Sequence, residues 1–378
     1  MKPRNIAITC GVAGVAVGLA AATGIVYHKQ IKSAASLKRL TGYADGYDLY
    51  AIDIAYDYDL DRIIAAGVRD DQAYIDAVVA QVLPGVPAHV QAPQFACSAF
   101  VAVDAEGRVR TGRNYDFKDD TSALLVRNHP RGGYASIGLA ALNNLGDNTP
   151  LDSVAGRAAA LMGPFAQLDG VNECGVFIAV LTLDSKPCDQ DTQRPVINTS
   201  LAIRLVLDRA ATTQEAVDLL FAYDMHAMAG RDYHFFINDA AGDARVVEWD
   251  PRDPDRAFKA TPVRQVTNFY ACYDDEVLSN QKNGELGHGK ERAVAIADVL
   301  DAHVGAQDET IVWEALRAAA QEPNPEDITS NTQWSVVFDN TEPAAAITPL
   351  GRRRRLRTVR SQARQPYARL TLFTFPYA

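Results

Sequence analysis

At 378 residues the chain is long enough for one large domain with an added segment, or for two domains. Apolar residues make up 48% and charged residues 22%, which excludes a disordered or low-complexity chain. The formal charge of −10 argues against a nucleic-acid binder unless basic residues cluster. They cluster once, in Gly351-Arg352-Arg353-Arg354-Arg355-Leu356-Arg357. That run reads as a solvated loop before a last strand, or as a patch drawn to an anionic membrane surface.

Residues 6–27 carry no charge and come after a basic start, Met1-Lys2-Pro3-Arg4. A stretch of this length spans a bilayer as a helix, and its flank fits a signal anchor or a signal peptide cut near Ala20-Ala21-Ala22. Either sends the remainder out of the cytoplasm; the third reading is a buried helix of a soluble domain. Residues 33–96 differ in character. A tyrosine- and aspartate-rich stretch, 43–61, precedes two helical patterns at 60–66 and 71–82, the second with Ile75, Val78, Val79 and Val82 at helical spacing. The segment reads as a helical pro-region or small subdomain, or as an ordinary N-terminal extension of the domain that begins near Cys97.

Then comes Cys97, an apolar strand over 98–103, a turn at Asp104-Ala105-Glu106-Gly107, and a second strand ending in Gly112-Arg113-Asn114-Tyr115-Asp116-Phe117. Paired as a hairpin, these strands return Arg113 and Asp116 to the level of Cys97, so a thiol, a guanidinium and a carboxylate share one end of a sheet. Further strands are expected at 124–128, 134–142, 176–183, 233–238, 244–248, 264–270, 333–339 and 369–375. Helices are expected at 153–162, 199–208, 213–223 (capped by Thr213), around Arg292, and at 308–322. Leu161, Met162, Phe165 and Leu168 read as core. Strand pairs interleaved with helix pairs imply an α+β sandwich of two sheets covered by helices.

The five cysteines, Cys10, Cys97, Cys174, Cys188 and Cys272, show no zinc spacing, and a bridge among the last three is compatible with export. His234 and His288 are candidate bases without a local signature. No HExxH cluster and no phosphate-binding glycine loop occurs, so no metal or organic cofactor is called for. A third chemistry needs no side-chain base. If the chain is cut between Ala96 and Cys97, the new α-amine, with an unperturbed pKa of about 7.7–8.0, lies beside its own thiol and accepts its proton. Arg113 favours the thiolate, and Asp116 holds the amine.

The residues that carry this chemistry resemble the N-terminal-nucleophile linear amide hydrolases, the group of choloylglycine hydrolases and penicillin V acylases, with acid ceramidase and N-acylethanolamine acid amidase as more distant members. The resemblance rests on Cys97 followed by Gly112-Arg113-Asn114-Tyr115-Asp116, on Asn172-Glu173-Cys174-Gly175 before an apolar strand, on Thr267-Asn268, and on Arg292, in that order over about residues 95–375. It implies a four-layer αββα sandwich over residues 97–378, preceded by a signal or anchor segment at 1–32 and a pro-segment at 33–96.

It further implies that Cys97 is nucleophile and Asp116 holds the amine. Asn268 and the Thr182 N–H form the oxyanion hole, and Arg113 and Arg292 stabilise charge. Asn172 reads as a turn-stabilising residue. Thr182 departs from the asparagine or tyrosine of the two named groups and leaves the substrate open. The expected activity is an exported, self-cutting amidase acting on a small-molecule N-acyl amide such as a conjugated bile acid, N-acyl amino acid or acyl amine. The alternatives are an acyltransferase using the same acyl-enzyme, or an uncut membrane-tethered binding protein. Candidate partners are the membrane, through residues 6–27, the retained pro-segment, and a second copy of the chain; nucleic acid is not expected.

Overall fold

The computed structural model describes residues 27–42, 46–84, 96–117, 119–145, 151, 153–282, 284–322, 324, 331–349 and 372–374. The expected membrane or signal helix, the stretch just before Ala96 and the arginine run lie outside these residues, apart from Tyr27. Among the described residues no helix is long and apolar enough to cross a membrane.

The chain opens with α1 (His28–Ser36), β1 (Lys38–Arg39), β2 (Leu49–Ile54), α2 (Leu60–Ala65) and α3 (Asp71–Val82). Asp59 and Asp70 cap the two latter helices, each accepting a backbone N–H with its side chain. The hairpin β3 (Ala96–Val103) and β4 (Val109–Asp116) is next, then β5 (Ala123–Asn128), β6 (Ser136–Ala141), α4 (Val154–Ala160), β7 (Gln167–Asn172) and β8 (Phe177–Leu183). After these come β9 (Val196–Asn198), α5 (Thr199–Arg209), α6 (Thr213–Phe221), β10 (Asp224–His226), β11 (Asp232–Asn238), β12 (Ala244–Trp249) and β13 (Phe258–Pro262). The last part holds β14 (Gln265–Val266), β15 (Asn268–Phe269), β16 (Gly287–His288), α7 (Lys290–Asp301), α8 (Glu309–Ala318), β17 (Thr332–Asp339), β18 (Ala344–Pro349) and β19 (Leu372–Thr374).

Two large sheets result. One has nine strands in the order β1-β2-β5-β6-β7-β8-β11-β12-β13, the other six in the order β14-β3-β4-β17-β18-β19. They face each other where β3 meets β8 and β11 and where β17 meets β7. Helices α5 and α6 cover the nine-stranded sheet; α7 and α8 cover the six-stranded one. Helix, sheet, sheet, helix is the layering expected from the interleaved strand and helix pairs.

The alternation along β3 sorts its side chains between two cores. Cys97, Ala99 and Val101 join the large core, while Phe100 and Ala102 join Ile296, Leu300, Val312 and Leu316 of the helix layer. Cys97 therefore points into the space between the sheets. Both faces of β3 are buried, which is why it reads as a continuous apolar run. Gly112 is required where β4 passes Phe100: a Cβ there would lie 2.3 Å from the ring.

Several expectations are corrected. Residues 33–84 are not purely helical, because β2 pairs in parallel with β5 and β1 extends the same sheet. Ile52, Ile54, Ile63, Ile75, Val78 and Val82 lie in the main core, so this segment shares one core with the two large sheets. Tyr74 donates to the Phe165 carbonyl (2.8 Å), and Tyr58 donates to Asp208 (2.8 Å). The cap of α6 is Thr212, whose Oγ1 accepts the Glu215 N–H, while the Thr213 hydroxyl donates to the Asp243 carbonyl. The strand expected over 264–270 is split into β14 and β15 at Thr267, whose hydroxyl binds the Gly289 carbonyl (2.7 Å). Strand β7 is not visible in the sequence, because both of its faces are buried and it carries polar Gln167, Asp169 and Asn172. Cys97, Cys174, Cys188 and Cys272 are all free thiols, so no bridge joins the last three.

Candidate active site

The β3–β4 hairpin sets Cys97 opposite Tyr115, Ala99 opposite Arg113 and Ala96 opposite Asp116. Directly opposed residues share a face. Arg113 and Tyr115 therefore stand on the Cys97 side, between the sheets, and Asp116 stands on the helix side. The expected return of thiol, guanidinium and carboxylate to one level holds, with the acid on the other face.

Cys97 is completely buried. Burial pushes its thiol up to about 11; Arg113, which hydrogen-bonds the sulfur, pulls it down, and the Asp116 charge raises it. At pH 7.5 a thiol with that value is less than about 0.1% thiolate. In the uncut chain iodoacetamide should accordingly modify the partly exposed Cys174 well before Cys97. Labelling of Cys97 should rise as pH is raised toward 11. Peptide mass mapping of the labelled sites checks this order.

The backbone of Cys97 is gripped as firmly as its side chain. Its N–H donates to Asn268 Oδ1 (3.0 Å), and its carbonyl accepts from Arg292 Nη1 (2.9 Å). Arg292 Nη2 donates to the same Asn268 oxygen (2.7 Å), and Arg292 Nη1 also reaches Asp116 Oδ2 (3.2 Å). Two donors converge on Asn268 Oδ1, which fixes the orientation of that amide. Its Nδ2 then donates to the Thr182 carbonyl (2.8 Å). Asp116 is completed by the Thr332 hydroxyl (2.6 Å) and Gln321 Nε2 (2.9 Å).

Arg113 is fully buried and donates to the carbonyls of Asn114 (2.6 Å) and Val180 (3.0 Å). Its Nε forms an ion pair with Asp169 at 3.2 Å. Burial raises the Asp169 carboxyl to about 6 while the Arg113 charge holds it down. Behind the thiol, Tyr115 stacks on Trp334, with ring centres 4.3 Å apart.

All six residues singled out from the sequence thus meet: Cys97, Arg113, Asp116, Thr182, Asn268 and Arg292. Two of the expected contacts differ in the uncut chain. The Cys97 nitrogen is held by Asn268 rather than Asp116, and the Asn268 amide donor is occupied by the Thr182 carbonyl. Asp169, Gln321 and Thr332 are beyond the reach of sequence reasoning. Each acts by completing a buried charge, and no local pattern marks such a partner.

Asn172 and His234 have other tasks. Asn172 Oδ1 accepts from Cys174 N–H (3.1 Å) and Val176 N–H (3.0 Å), and its Nδ2 donates to the carbonyls of Leu207 (3.2 Å) and Ala210 (2.7 Å). It ties the β7–β8 turn to α5. Asn172→Ala leaves several buried backbone groups unpaired, at ~1–3 kcal/mol each. The variant should lose about 2–4 kcal/mol in urea unfolding, with kcat per folded molecule unchanged. His234 is fully buried, with Nε2 on the Thr267 carbonyl (2.9 Å) and Nδ1 on Glu248 (3.3 Å). Both nitrogens are engaged, so it anchors the residue before Asn268. Leu161, Met162, Phe165 and Leu168 are core residues. Among the described residues no group of three or more metal-ligating side chains forms.

The fold is similar to that of a variant of conjugated bile acid hydrolase from Clostridium perfringens, at 15% identity and a TM-score of 0.50, covering 67% of this chain and 89% of that one. Penicillin V acylase from Agrobacterium tumefaciens aligns at 21% identity and a TM-score of 0.49, covering 67% of this chain and 83% of that one. At 15% identity the likeness to the bile acid hydrolase speaks to fold alone. A search of curated proteins finds no match. Residues 103–353 match the family described as acyl-coenzyme A:6-aminopenicillanic acid acyl-transferase, a span that begins six residues after Cys97 and holds the other five residues of the cluster. By that match over more than half of its length, the chain belongs to the acyl-coenzyme A:6-aminopenicillanic acid acyl-transferase family.

Proposed function

We propose that the protein is a cysteine N-terminal-nucleophile amidase that cuts itself before Cys97 and then hydrolyses linear amides through a thioester. The observation that carries this reading is the grip on Cys97. Asn268 takes its N–H, Arg292 takes its carbonyl, and Arg113 faces its sulfur. A cysteine that merely filled a core would have no use for two buried arginines.

Cutting begins with attack of the Cys97 thiol on the Ala96 carbonyl. The C–N bond breaks, the nitrogen becomes the α-amine of Cys97, and water releases the pro-segment from the thioester. In the cut enzyme that amine takes the thiol proton, and the thiolate attacks the carbonyl of a substrate amide. Asn268 Nδ2, released from Thr182, and the Thr182 N–H hold the oxyanion, a kind of contact that contributes roughly 2.7–4 kcal/mol per donor. The leaving amine departs with the proton, and water frees the acid. The uncharged run at 6–27 motivates export. The test is a panel of N-acyl amides, including bile-acid conjugates and penicillin V, offered to protein beginning at Cys97. Release of free amine supports the reading; turnover of none removes it.

The matched family is described as an acyl-transferase, and this favours a second reading in which an amine takes the acyl group in place of water. Product analysis with added acceptor amines separates the two.

The shared core predicts the fate of the pro-segment. Ten buried aliphatic side chains of residues 52–82, worth ~1.5–3 kcal/mol each, and the β2–β5 ladder hold it in place. After cutting, both fragments should co-elute on size exclusion and separate only in denaturant.

A further inference from the structure

We propose that His288, held by Asp184, accepts the N–H of the scissile amide and makes the site prefer amides to esters; this rests on the amidase reading above. Strand β16 lies antiparallel to β15 with His288 directly opposite Asn268. Opposed residues project to the same face, and the Asn268 side chain on that face holds the Cys97 N–H. The two neighbours of His288 fix its place. Gly287 has φ +95°, and a Cβ there would lie 2.1 Å from the Asn268 carbonyl oxygen. Gly289 has φ +82°, and a Cβ there would lie 2.3 Å from Arg292 Nη2. Only glycine fits either position. His288 is therefore pinned between the close approaches to two residues of the candidate site.

The imidazole is also oriented. Its Nδ1 lies 2.6 Å from Asp184 Oδ2. A carboxylate only accepts, so in the neutral ring Nδ1 carries the proton and Nε2 is left as an acceptor. Asp184 lies two residues after Thr182, and the Thr182 carbonyl is the partner of Asn268 Nδ2. On the far oxygen of Asp184, Arg231 Nη1 stands at 3.7 Å. The His288 Nε2 atom is buried and has no hydrogen-bond partner among the described residues; the same holds for Thr182 Oγ1. The two orphaned polar atoms thus belong to the cross-strand neighbour of Asn268 and to the residue whose carbonyl its amide holds. A buried acceptor on the face that Asn268 shares calls for an N–H donor. An amide substrate carries one on the atom next to that carbonyl, and an ester does not. A site built to bond an N–H turns away the analogue that lacks it.

The experiment compares wild-type, His288→Leu and Asp184→Asn proteins, each cut before Cys97. The probes are a fatty-acyl p-nitroanilide and the p-nitrophenyl ester of the same acid. His288→Leu should lower kcat/KM for the anilide by roughly 10- to 100-fold and change that for the ester by less than about 3-fold. Asp184→Asn keeps the imidazole and loosens its tautomer, so its anilide-to-ester ratio should fall between the two. Asp184 is 22% exposed, so this variant keeps the fold if His288→Leu does not. Equal losses on both substrates, or an unchanged ratio, overturn the proposal and leave the amidase reading standing. A wild-type enzyme that turns over neither probe nor any amide of the panel above overturns both.

Discussion

Replacement of Cys97 by alanine should leave the chain joined across Ala96 and Cys97 and abolish amide hydrolysis, a loss of at least roughly 10³-fold. The two effects belong together because in the proposed mechanism one sulfur serves both bonds, first the Ala96–Cys97 peptide and then the substrate amide. The fold should survive. The side chain sits in a packed core, and its loss leaves a cavity costing about 1 kcal/mol, a small share of the stability of a large domain. The backbone contacts from Asn268 and Arg292 are untouched by the change. Intact mass and circular dichroism on the same sample therefore separate loss of chemistry from loss of structure. A variant that is still cut at residue 97, or still active, would show that the sulfur is not the nucleophile.

The second large effect belongs to Arg292. This one guanidinium joins the Cys97 carbonyl, Asn268 Oδ1 and Asp116 Oδ2. Arg292→Met takes the ion-pair partner from the fully buried Asp116 and leaves it two neutral donors, Thr332 and Gln321. Removing one partner of a buried ion pair typically costs about 3–5 kcal/mol. The Asn268 amide loses the donor that orients it, so cutting should slow by at least about 10²-fold as well. Arg292→Lys should rescue little, because an ammonium lacks the planar fork that spans three acceptors. Urea unfolding and the time course of cutting measure the two losses separately. Near-normal cutting by the methionine variant would mean that Arg292 only supports the helix-side packing.

Much of this site is legible in the sequence because its residues are spaced along one hairpin. A glycine turn between an apolar strand and a second strand predicts the pairing, and the pairing sets the level of Arg113 and Asp116 against Cys97. Facing is harder. Strand parity, counted across the turn, puts Asp116 opposite Ala96 and so on the helix side, and a register is needed to see it. Asn268 and Arg292 lie far along the chain, and they emerge from order within a resemblance rather than from any local physical signal. Asp169 stays hidden inside β7, a strand buried on both faces, where neither period of two nor period of 3.6 shows. The N-terminal segment misleads for a related reason. Two helices with good caps stand out, while β2, buried at nearly every position beside β5, carries no alternation to reveal it.

His288 illustrates the reverse case. Its sequence context, Gly287-His288-Gly289, looks like a loop. The close approaches to Asn268 and Arg292 turn those glycines into the means by which the histidine is set beside the site.

The central claim is that the working enzyme starts at Cys97, and N-terminal sequencing of the purified active protein tests it most directly. The account predicts a chain beginning Cys97-Ser98-Ala99-Phe100, together with a bound fragment ending at Ala96, and amide hydrolysis that grows in step with that cut. Full activity from a chain that remains joined across Ala96 and Cys97, or no activity from protein trimmed to start at Cys97, would contradict it.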